Sequence, residues 1–237
     1  MLKVYPVLCR AGQMDNYSYI LQDEVSGICA IMDPSEVAPI IQKLTTLKIT
    51  PNYILNTHHH FDHTDGNAEL KQIYGAKVVG NIADSHRIPE FDIGVTPQET
   101  FMLGNSCAEI IDVSAHTQGH ILWYFPQDKI LFTGDTLFNL CIGGLFEGTI
   151  EQMYHALEKI KALPDDVCFY PGHEYTIGGA EHALYLNNNN PKLKQYLQNA
   201  ITKLQQGIPV SPIQLGIEKQ CNPYLQASNF SEFKKLF

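Results

Sequence analysis

The stretch Thr57-His58-His59-His60-Phe61-Asp62-His63 packs four histidines and an aspartate into seven residues. Imidazole and carboxylate donors together suit a borderline divalent cation such as zinc, iron or manganese. In an extended segment side chains alternate, so His58 and His60 share a face and His59 points away from it. A turn at Phe61 lets Asp62 and His63 face a second metal nearby, and His59 is expected to be structural or exposed. Histidine-rich segments also occur as purification tags and storage tracts. The embedded Asp62 and the apolar run Tyr53-Ile54-Leu55 just before the cluster argue against both.

Three more residues of ligand type stand in the same kind of place. His116 follows the strand-like run Ile110 to Val113, Asp135 follows Ile130 to Thr133, and His173 follows Val167 to Tyr170. The loops beyond strand C-terminal ends are where open α/β sheets gather ligands. A single histidine there is usually structural; the repetition along the chain is what points to a site. Two adjacent metals could then share a bridging water and a bridging carboxylate.

The elements that must position these groups are legible from periodicity. Val4 to Leu8, Tyr17 to Leu21 and Ile28 to Met32 read as strands, and Asp33-Pro34 ends the third. Val37, Ile40, Ile41, Leu44 and Leu47 recur at helical spacing. Tyr53 to Asn56 is a strand, followed by a short helix near Asn67 to Ile73 and a strand at Lys77 to Val79. Residues 81 to 100, with Pro89, Gly94 and Pro97, are expected to be loop. Strands follow at Glu109 to Val113, Ile121 to Phe125 and Lys129 to Thr133. Thr149 and Gln152 predict a capping box for a helix reaching Leu163, and Val167 to Tyr170 is one more strand. After His173 the pattern turns helical, with Asn190-Pro191 as N-cap and first residue of a helix carrying Leu193, Leu197, Ile201 and Leu204. The expected division is a catalytic domain over residues 1–175 and a short helical substrate-binding region over 176–237.

Composition narrows the function. The chain has 237 residues, enough for a sizeable core without disulfide staples. Sixteen Lys and Arg against 25 Asp and Glu leave a net charge of −9, which argues against a nucleic-acid surface. Mean hydropathy is slightly negative, at −0.13, and no apolar run approaches membrane-spanning length. The six cysteines form no CxxC pair, and Cys29 and Cys168 lie in apolar runs as core thiols. The reading is a monomeric, cytoplasmic protein in a reducing compartment, without a nucleic-acid or membrane partner.

His58-His59-His60-Phe61-Asp62-His63 resembles the HxHxDH signature of the metallo-β-lactamase superfamily, with His116, Asp135 and His173 at its later ligand positions in order. The resemblance implies an α/β fold, an αββα sandwich with a small C-terminal helical domain, and a binuclear centre. It implies that His58, His60 and His116 hold one metal, that Asp62, His63 and His173 hold the other, and that Asp135 bridges. Two divalent ions are expected, zinc first, with iron or manganese as the other choices.

Within that superfamily the chain is most similar to glyoxalase II, the hydroxyacylglutathione hydrolases. The matching pieces are Asp65-Gly66-Asn67, His116-Thr117-Gln118-Gly119-His120, Phe132 to Phe138, Phe146-Glu147-Gly148-Thr149, Pro171 to Thr176 and Asn222-Pro223-Tyr224. The resemblance implies hydrolysis of S-D-lactoylglutathione to D-lactate and glutathione, with a metal-bridging hydroxide beside Asp62 and Asp135 as the reacting group. Tyr175, the segment around Gly144 and Phe146, and Lys234 are the expected substrate contacts. The chain departs from that family at Gly144, where a Lys or Arg is usual, and at Phe146, often a Tyr. The C-terminal basic pair is partial: Lys234 or Lys235 supplies one charge, and Ser231 stands closest to the arginine position. The other activities in view are hydrolysis of a different acyl-thioester or a lactone, and mononuclear iron sulfur dioxygenation. A non-catalytic binding protein is the reading from outside the enzymes, and the complete ligand set counts against it.

Of the remaining histidines, His120 is expected behind the ligands or in the core. His155 and His182 fall on solvated helix faces, and His86 in a loop.

Overall fold

The computed structural model describes every residue of the chain except 188. The residues form two compact units, one of Met1–Asp112 with Gly119–Phe132, the other of Val113–Gln118 with Thr133–Phe237.

The first unit begins with β1 (Leu2–Cys9), β2 (Asn16–Asp23) and β3 (Cys29–Met32), then α1 (Val37–Leu47), β4 (Tyr53–Leu55), α2 (Phe61–Thr64), α3 (Asn67–Tyr74), β5 (Lys77–Asn81) and β6 (Phe91–Val95). The six strands form one sheet in sequence order. β1, β2 and β3 pair antiparallel, whereas β3 to β6 run parallel, which requires crossovers; α1 and α3 supply them between β3 and β4 and between β4 and β5. The helical spacing on α1 buries Ile40 and Leu44 against Ile20, Ile31, Ile54 and Val78 of the strands, with Leu70 of α3 in the same core. α1 stops at Lys48, whose left-handed φ of 57° lets its N–H turn back onto the Leu44 and Thr45 carbonyls.

The parallel pairing sets up the chemistry. Met32 and Leu55 are register partners, so the residues after β3 and β4 emerge side by side. The Asp33 N–H donates to the Leu55 carbonyl at 2.9 Å, which places its side chain beside Thr57 and the histidine cluster.

The expected loop over 81–100 is partly wrong. Phe91–Val95 is a strand parallel to β5, with a register shift between Val78 and Val79. It lies at the end of the sheet and alternates between half-buried and exposed residues up to the buried Val95, so it lacks the continuous apolar run that marked the inner strands. The unit continues with β7 (Thr100–Leu103), β8 (Ser106–Asp112), β9 (Ile121–Phe125) and the first residues of β10 (Ile130–Gly134), joined antiparallel. Trp123 is fully buried on β9 and donates its ring N–H to the Asn56 carbonyl at 3.1 Å, as a core tryptophan must when it has a polar handle.

The second unit takes in the end of β10, the two-stranded hairpin β11 (Leu137–Phe138) and β12 (Cys141–Ile142), α4 (Ile150–Lys161), β13 (Cys168–Pro171), α5 (Thr176–Leu186), α6 (Pro191–Gln205), β14 (Ile213–Gln214), α7 (Leu215–Cys221), α8 (Pro223–Gln226) and α9 (Phe230–Phe233). The capping box at Thr149 and Gln152 is complete, and α4 buries Met153, Ala156, Leu157 and Ile160. The Asn190 side chain accepts from the Lys192 and Leu193 N–H groups, with Pro191 in the first turn of α6. Leu140, Ala180, Ala183, Leu193 and Cys221 form the core that joins the hairpin turn to α5, α6 and α7. Cys168, expected in the core, is only partly buried. Among the described residues no helix is long and apolar enough to cross a membrane.

Candidate metal centre

In the first unit the cluster runs as an extended segment from the end of β4 into the single turn of α2, so alternation holds up to His60 and a helical step takes over at Phe61. His58, Asp62 and His63 are buried, and His60 is half-buried. The rings of His58 and His60 are 4.8 Å apart edge to face, and those of His58 and His63 are 4.3 Å apart. Oδ2 of Asp62 lies 3.4 Å from Nε2 of His63.

The rings of His58 and His63 are each held by Nδ1. Oδ2 of Asp33 accepts from Nδ1 of His63 at 3.2 Å and from the Thr57 hydroxyl at 2.7 Å; its Oδ1 accepts the Thr57 N–H at 2.8 Å. The hydroxyl proton of Thr57 is thus committed to Asp33, so its oxygen accepts from Nδ1 of His58 at 3.0 Å. One buried carboxylate therefore sets both rings with Nε2 outward as the lone-pair donor, a common support for metal-binding histidines. Donor atoms of Asp33, His58 and His63 lie within 4.8 Å of one another. Both Asp33 oxygens are already engaged, so Asp33 is a support and not itself a ligand. Asn16 donates its amide to Oδ2 and to the backbone carbonyl of Asp62, at 2.9 and 3.1 Å.

His59 leaves the ligand face, as alternation demands, and its Nδ1 meets Oδ2 of Asp84 at 3.1 Å. Asp84 is buried and is also paired to Arg87. Gly119 makes this arrangement possible, because a Cβ there would sit 2.2 Å from the Asp84 carboxylate carbon. His120 is fully buried and stacks on His58 at 4.7 Å, behind the ligand face as expected.

In the second unit His116, Asp135 and His173 come together. Oδ2 of Asp135 is 3.5 Å from Nε2 of His116 and 3.2 Å from Nε2 of His173. Nδ1 of His116 donates to the Gly144 carbonyl at 2.7 Å; a carbonyl only accepts, so this fixes the tautomer and again leaves Nε2 as donor atom. The Gly143 backbone runs so close to Asp135 that a Cβ would fall 1.7 Å from the Asp135 carbonyl oxygen. Tyr175 stacks on His173 at 4.6 Å, and Phe138 meets both rings edge-on. Phe146 meets His116 edge-on at 5.1 Å, and both Phe146 and Tyr175 are exposed. Gly144 is exposed, and Lys234 is exposed in the last turn of the chain.

Each unit thus assembles its share of the expected ligands, and His58, His63, His116 and Asp62 are each held in place by a hydrogen bond. That donor chemistry fits divalent metal ions. Sequence reasoning missed Asn16, Thr57 and Asp84 and the use of the Gly144 backbone. Thr57 stands next to a residue already singled out and Gly144 was expected only as a substrate contact, whereas nothing in the sequence marks Asn16 or Asp84. His155 and His182 are exposed on α4 and α5, His182 within 3.2 Å of the Tyr224 hydroxyl, and His86 is exposed.

A family model described as the metallo-beta-lactamase superfamily matches residues 18–173. A second, described as the hydroxyacylglutathione hydrolase C-terminus, matches residues 174–235. A hydroxyacylglutathione hydrolase of Pelagibacter ubique is 44% identical over 222 residues, 94% of this chain and 93% of the relative. One of Ruegeria pomeroyi is 40% identical over 228 residues, 96% of this chain and 88% of the relative. Among solved structures, ETHE1 from Myxococcus xanthus matches with a TM-score of 0.73 at 20% identity, covering 98% of this chain and 88% of that one. The BLEG-1 B3 metallo-beta-lactamase matches with a TM-score of 0.72 at 20% identity, covering 96% of this chain and all of that one. At such identity the likeness establishes the fold, which is the α/β metallo-beta-lactamase type expected from the motif.

Proposed function

The chain belongs to the metallo-beta-lactamase superfamily, and from that membership we propose that it hydrolyses thioesters, cleaving S-D-lactoylglutathione with water to D-lactate and glutathione. Relatives at 36–44% identity that carry the name hydroxyacylglutathione hydrolase support this, as does the match of residues 174–235 to the C-terminus of that family. The family implies divalent metal ions. We assign His58, His60 and His116 to one and Asp62, His63 and His173 to the other, with Asp135 bridging and zinc as the metal. The observation that carries the assignment is Asp135: one carboxylate oxygen within 3.5 Å of two imidazole Nε2 atoms has the geometry of a shared ligand.

When bound, divalent ions supply a water of pKa about 7 and a counter-charge for the carbonyl oxygen. The residues of the chain orient that chemistry. Asp33 and Thr57 hold His58 and His63, Asn16 holds one oxygen of Asp62, and the Gly144 carbonyl holds His116. The leaving thiolate has a parent pKa of about 8.5, so it departs without a dedicated acid. Tyr175, Phe146, Gly144 and Lys234 are assigned to the substrate. The catalytic domain is 1–175, which also lends Gly144, Phe146 and Tyr175 to the substrate, and 176–237 is the short helical substrate-binding region that adds Lys234, in a cytoplasmic monomer.

The deciding experiment compares kcat/KM for S-D-lactoylglutathione with that for other acyl-thioesters, on protein of measured metal content. A preference of ten-fold or more is expected; equal rates would remove the glutathione substrate and leave a general thioesterase. A single iron per chain would point instead to sulfur dioxygenation. One observation favours a second reading, a thioester with an uncharged tail: the exposed Gly144 offers no cation where the family resemblance calls for one.

A further inference from the structure

Glu218 lies on α7, outside every residue assigned above, and is fully buried. An isolated buried carboxylate is costly, so what it holds matters. Its Oε2 accepts the Leu140 N–H at 3.0 Å and the Asn222 amide at 3.1 Å. Its Oε1 is buried with no hydrogen-bond partner among the described residues. Oε2 thus holds one turn directly through the Leu140 N–H, and it also fixes Asn222, whose amide reaches the Cys141 carbonyl next to that turn.

That turn joins β11 to β12. Leu140 stands at φ 66°, a left-handed conformation uncommon for a non-glycine residue and one that needs outside support. The support comes from the C-terminal region at three successive residues. The Asn139 amide donates to the hydroxyls of Thr176 and Ser211, at 2.7 and 3.3 Å. The Leu140 N–H goes to Glu218, and the Cys141 carbonyl accepts from the Asn222 amide at 3.3 Å. Three residues past Leu140, Gly143 presses on the Asp135 backbone, and one further on the Gly144 carbonyl holds Nδ1 of His116. The path from Glu218 to His116 is short, covalent for most of its length, and free of side chains that could absorb a shift.

We propose that Glu218 is a positioning residue of the metal centre, fixing the turn at Leu140 so that the Gly144 carbonyl stays aimed at His116. The C-terminal helical region then serves the chemistry as well as the substrate. The inference rests on reading His116 as a metal ligand. Partners that orient a metal-binding histidine are each worth about 10–100-fold in metal affinity.

The test is titration of the full, metal-stripped chain with cobalt(II) alone, followed by its ligand-field bands, which report the geometry around the ion. Glu218→Ala is expected to weaken one of two binding steps about ten-fold and to shift the bands. Glu218→Gln keeps an acceptor carbonyl and is expected to stay within about two-fold of the original protein. Lys219→Ala is the control: this neighbour on α7 holds the Leu163 carbonyl and Asp165, so its loss perturbs the same helix without touching the turn. Unchanged affinity and bands in Glu218→Ala overturn the proposal. So does a Glu218→Gln variant as impaired as Glu218→Ala, or a Lys219→Ala variant with the same band shift. If Glu218→Ala does not fold, Asn222→Ala carries the test, with the same direction expected and no change overturning it. His116→Ala separates the two readings: if it titrates like the original protein, the ligand assignment fails, whatever Glu218 does.

Discussion

Asp33 and His63 are thirty residues apart in sequence, and their side chains meet at 3.2 Å, Oδ2 to Nδ1. The same oxygen takes the Thr57 hydroxyl, which in turn orients His58. Two expected ligands therefore depend on one carboxylate, which sits at the end of a different strand.

Asp33→Asn tests that dependence cleanly. Asp33 has φ 47°, and asparagine is among the few residues at ease there, so the backbone stays in place. The amide replaces an acceptor oxygen with a donor that faces two donors. Metal affinity is expected to fall about 10–100-fold, with a parallel loss of thioester turnover. Metal content by mass spectrometry after dialysis against a chelator checks it; full retention would show that the two rings hold their aim without Asp33.

Gly144→Arg restores the missing cation. Gly144 is exposed, and a Cβ there would lie 3.3 Å from the Phe146 ring, which is itself exposed and can yield. A charge-assisted hydrogen bond to a substrate carboxylate is worth about 1.5–3 kcal/mol, so KM for S-D-lactoylglutathione is expected to drop about ten-fold or more. Because that contact is the same in ground and transition states, kcat should change little. An unchanged KM would mean that no substrate carboxylate reaches this position.

Glu218 makes stability depend on pH. Burial pushes its carboxyl up from 4.5 to about 7, against the hydrogen bonds from Leu140 and Asn222 that favour the charged form. The titratable groups facing it are Tyr196 of α6, Cys141 of β12 and Cys221 of α7. All three are held neutral: burial raises Cys141 to about 12 and moves Tyr196 and Cys221 up as well. In the window from 4.5 to about 7 the folded chain keeps a proton that the unfolded chain releases. The contribution is therefore full below 4.5 and lost as pH rises through about 7, with a slope of up to about 1.4 kcal/mol per pH unit. Glu218→Gln removes this slope. Melting temperatures at pH 5 and pH 8 should converge in the variant relative to the original protein, and parallel curves would contradict the shift.

Asp23 acts in the opposite sense. Its carboxylate accepts from the Ser26 hydroxyl at 2.6 Å and from the Asn105 N–H at 2.8 Å, tying the turn after β2 to the turn between β7 and β8. These bonds, the Ser26 hydroxyl first, hold it below the usual carboxylate range, while burial works against them. Its stabilisation is present above the ordinary value of 3.8 and lost as pH falls below it. Asp23→Asn should lower the urea midpoint at pH 7, with the gap to the original protein closing toward about pH 3. A gap that stays constant would place the effect in packing instead of charge.

The seven candidate ligands were legible because their chemistry needs particular residue types at strand ends, and strand ends show as breaks after apolar runs. Alternation separated His59 from its neighbours, and the capping box at Thr149 and the Asn190-Pro191 start are local devices that sequence states outright. β6 escaped because an outer, half-exposed strand has no continuous apolar run to reveal it. Asn16, Thr57 and Asp84 escaped because a hydrogen-bond partner needs only proximity, and proximity across strands has no spacing rule.

The sequence by itself determined the donor types and their order along the chain, which follow from residue chemistry, and through the resemblance those motifs carry it pointed to the fold class. Only the tertiary structure decided which nitrogen of His58, His63 and His116 points outward. That choice rests on Asp33 meeting His63 and on the Gly144 carbonyl meeting His116, contacts between segments that sequence distance does not constrain. It also decided that Glu218, an unremarked acidic residue on a short helix, is buried where it holds the turn leading to the metal centre. Burial turns an ordinary carboxylate into a structural one, and burial is a property of the packed chain.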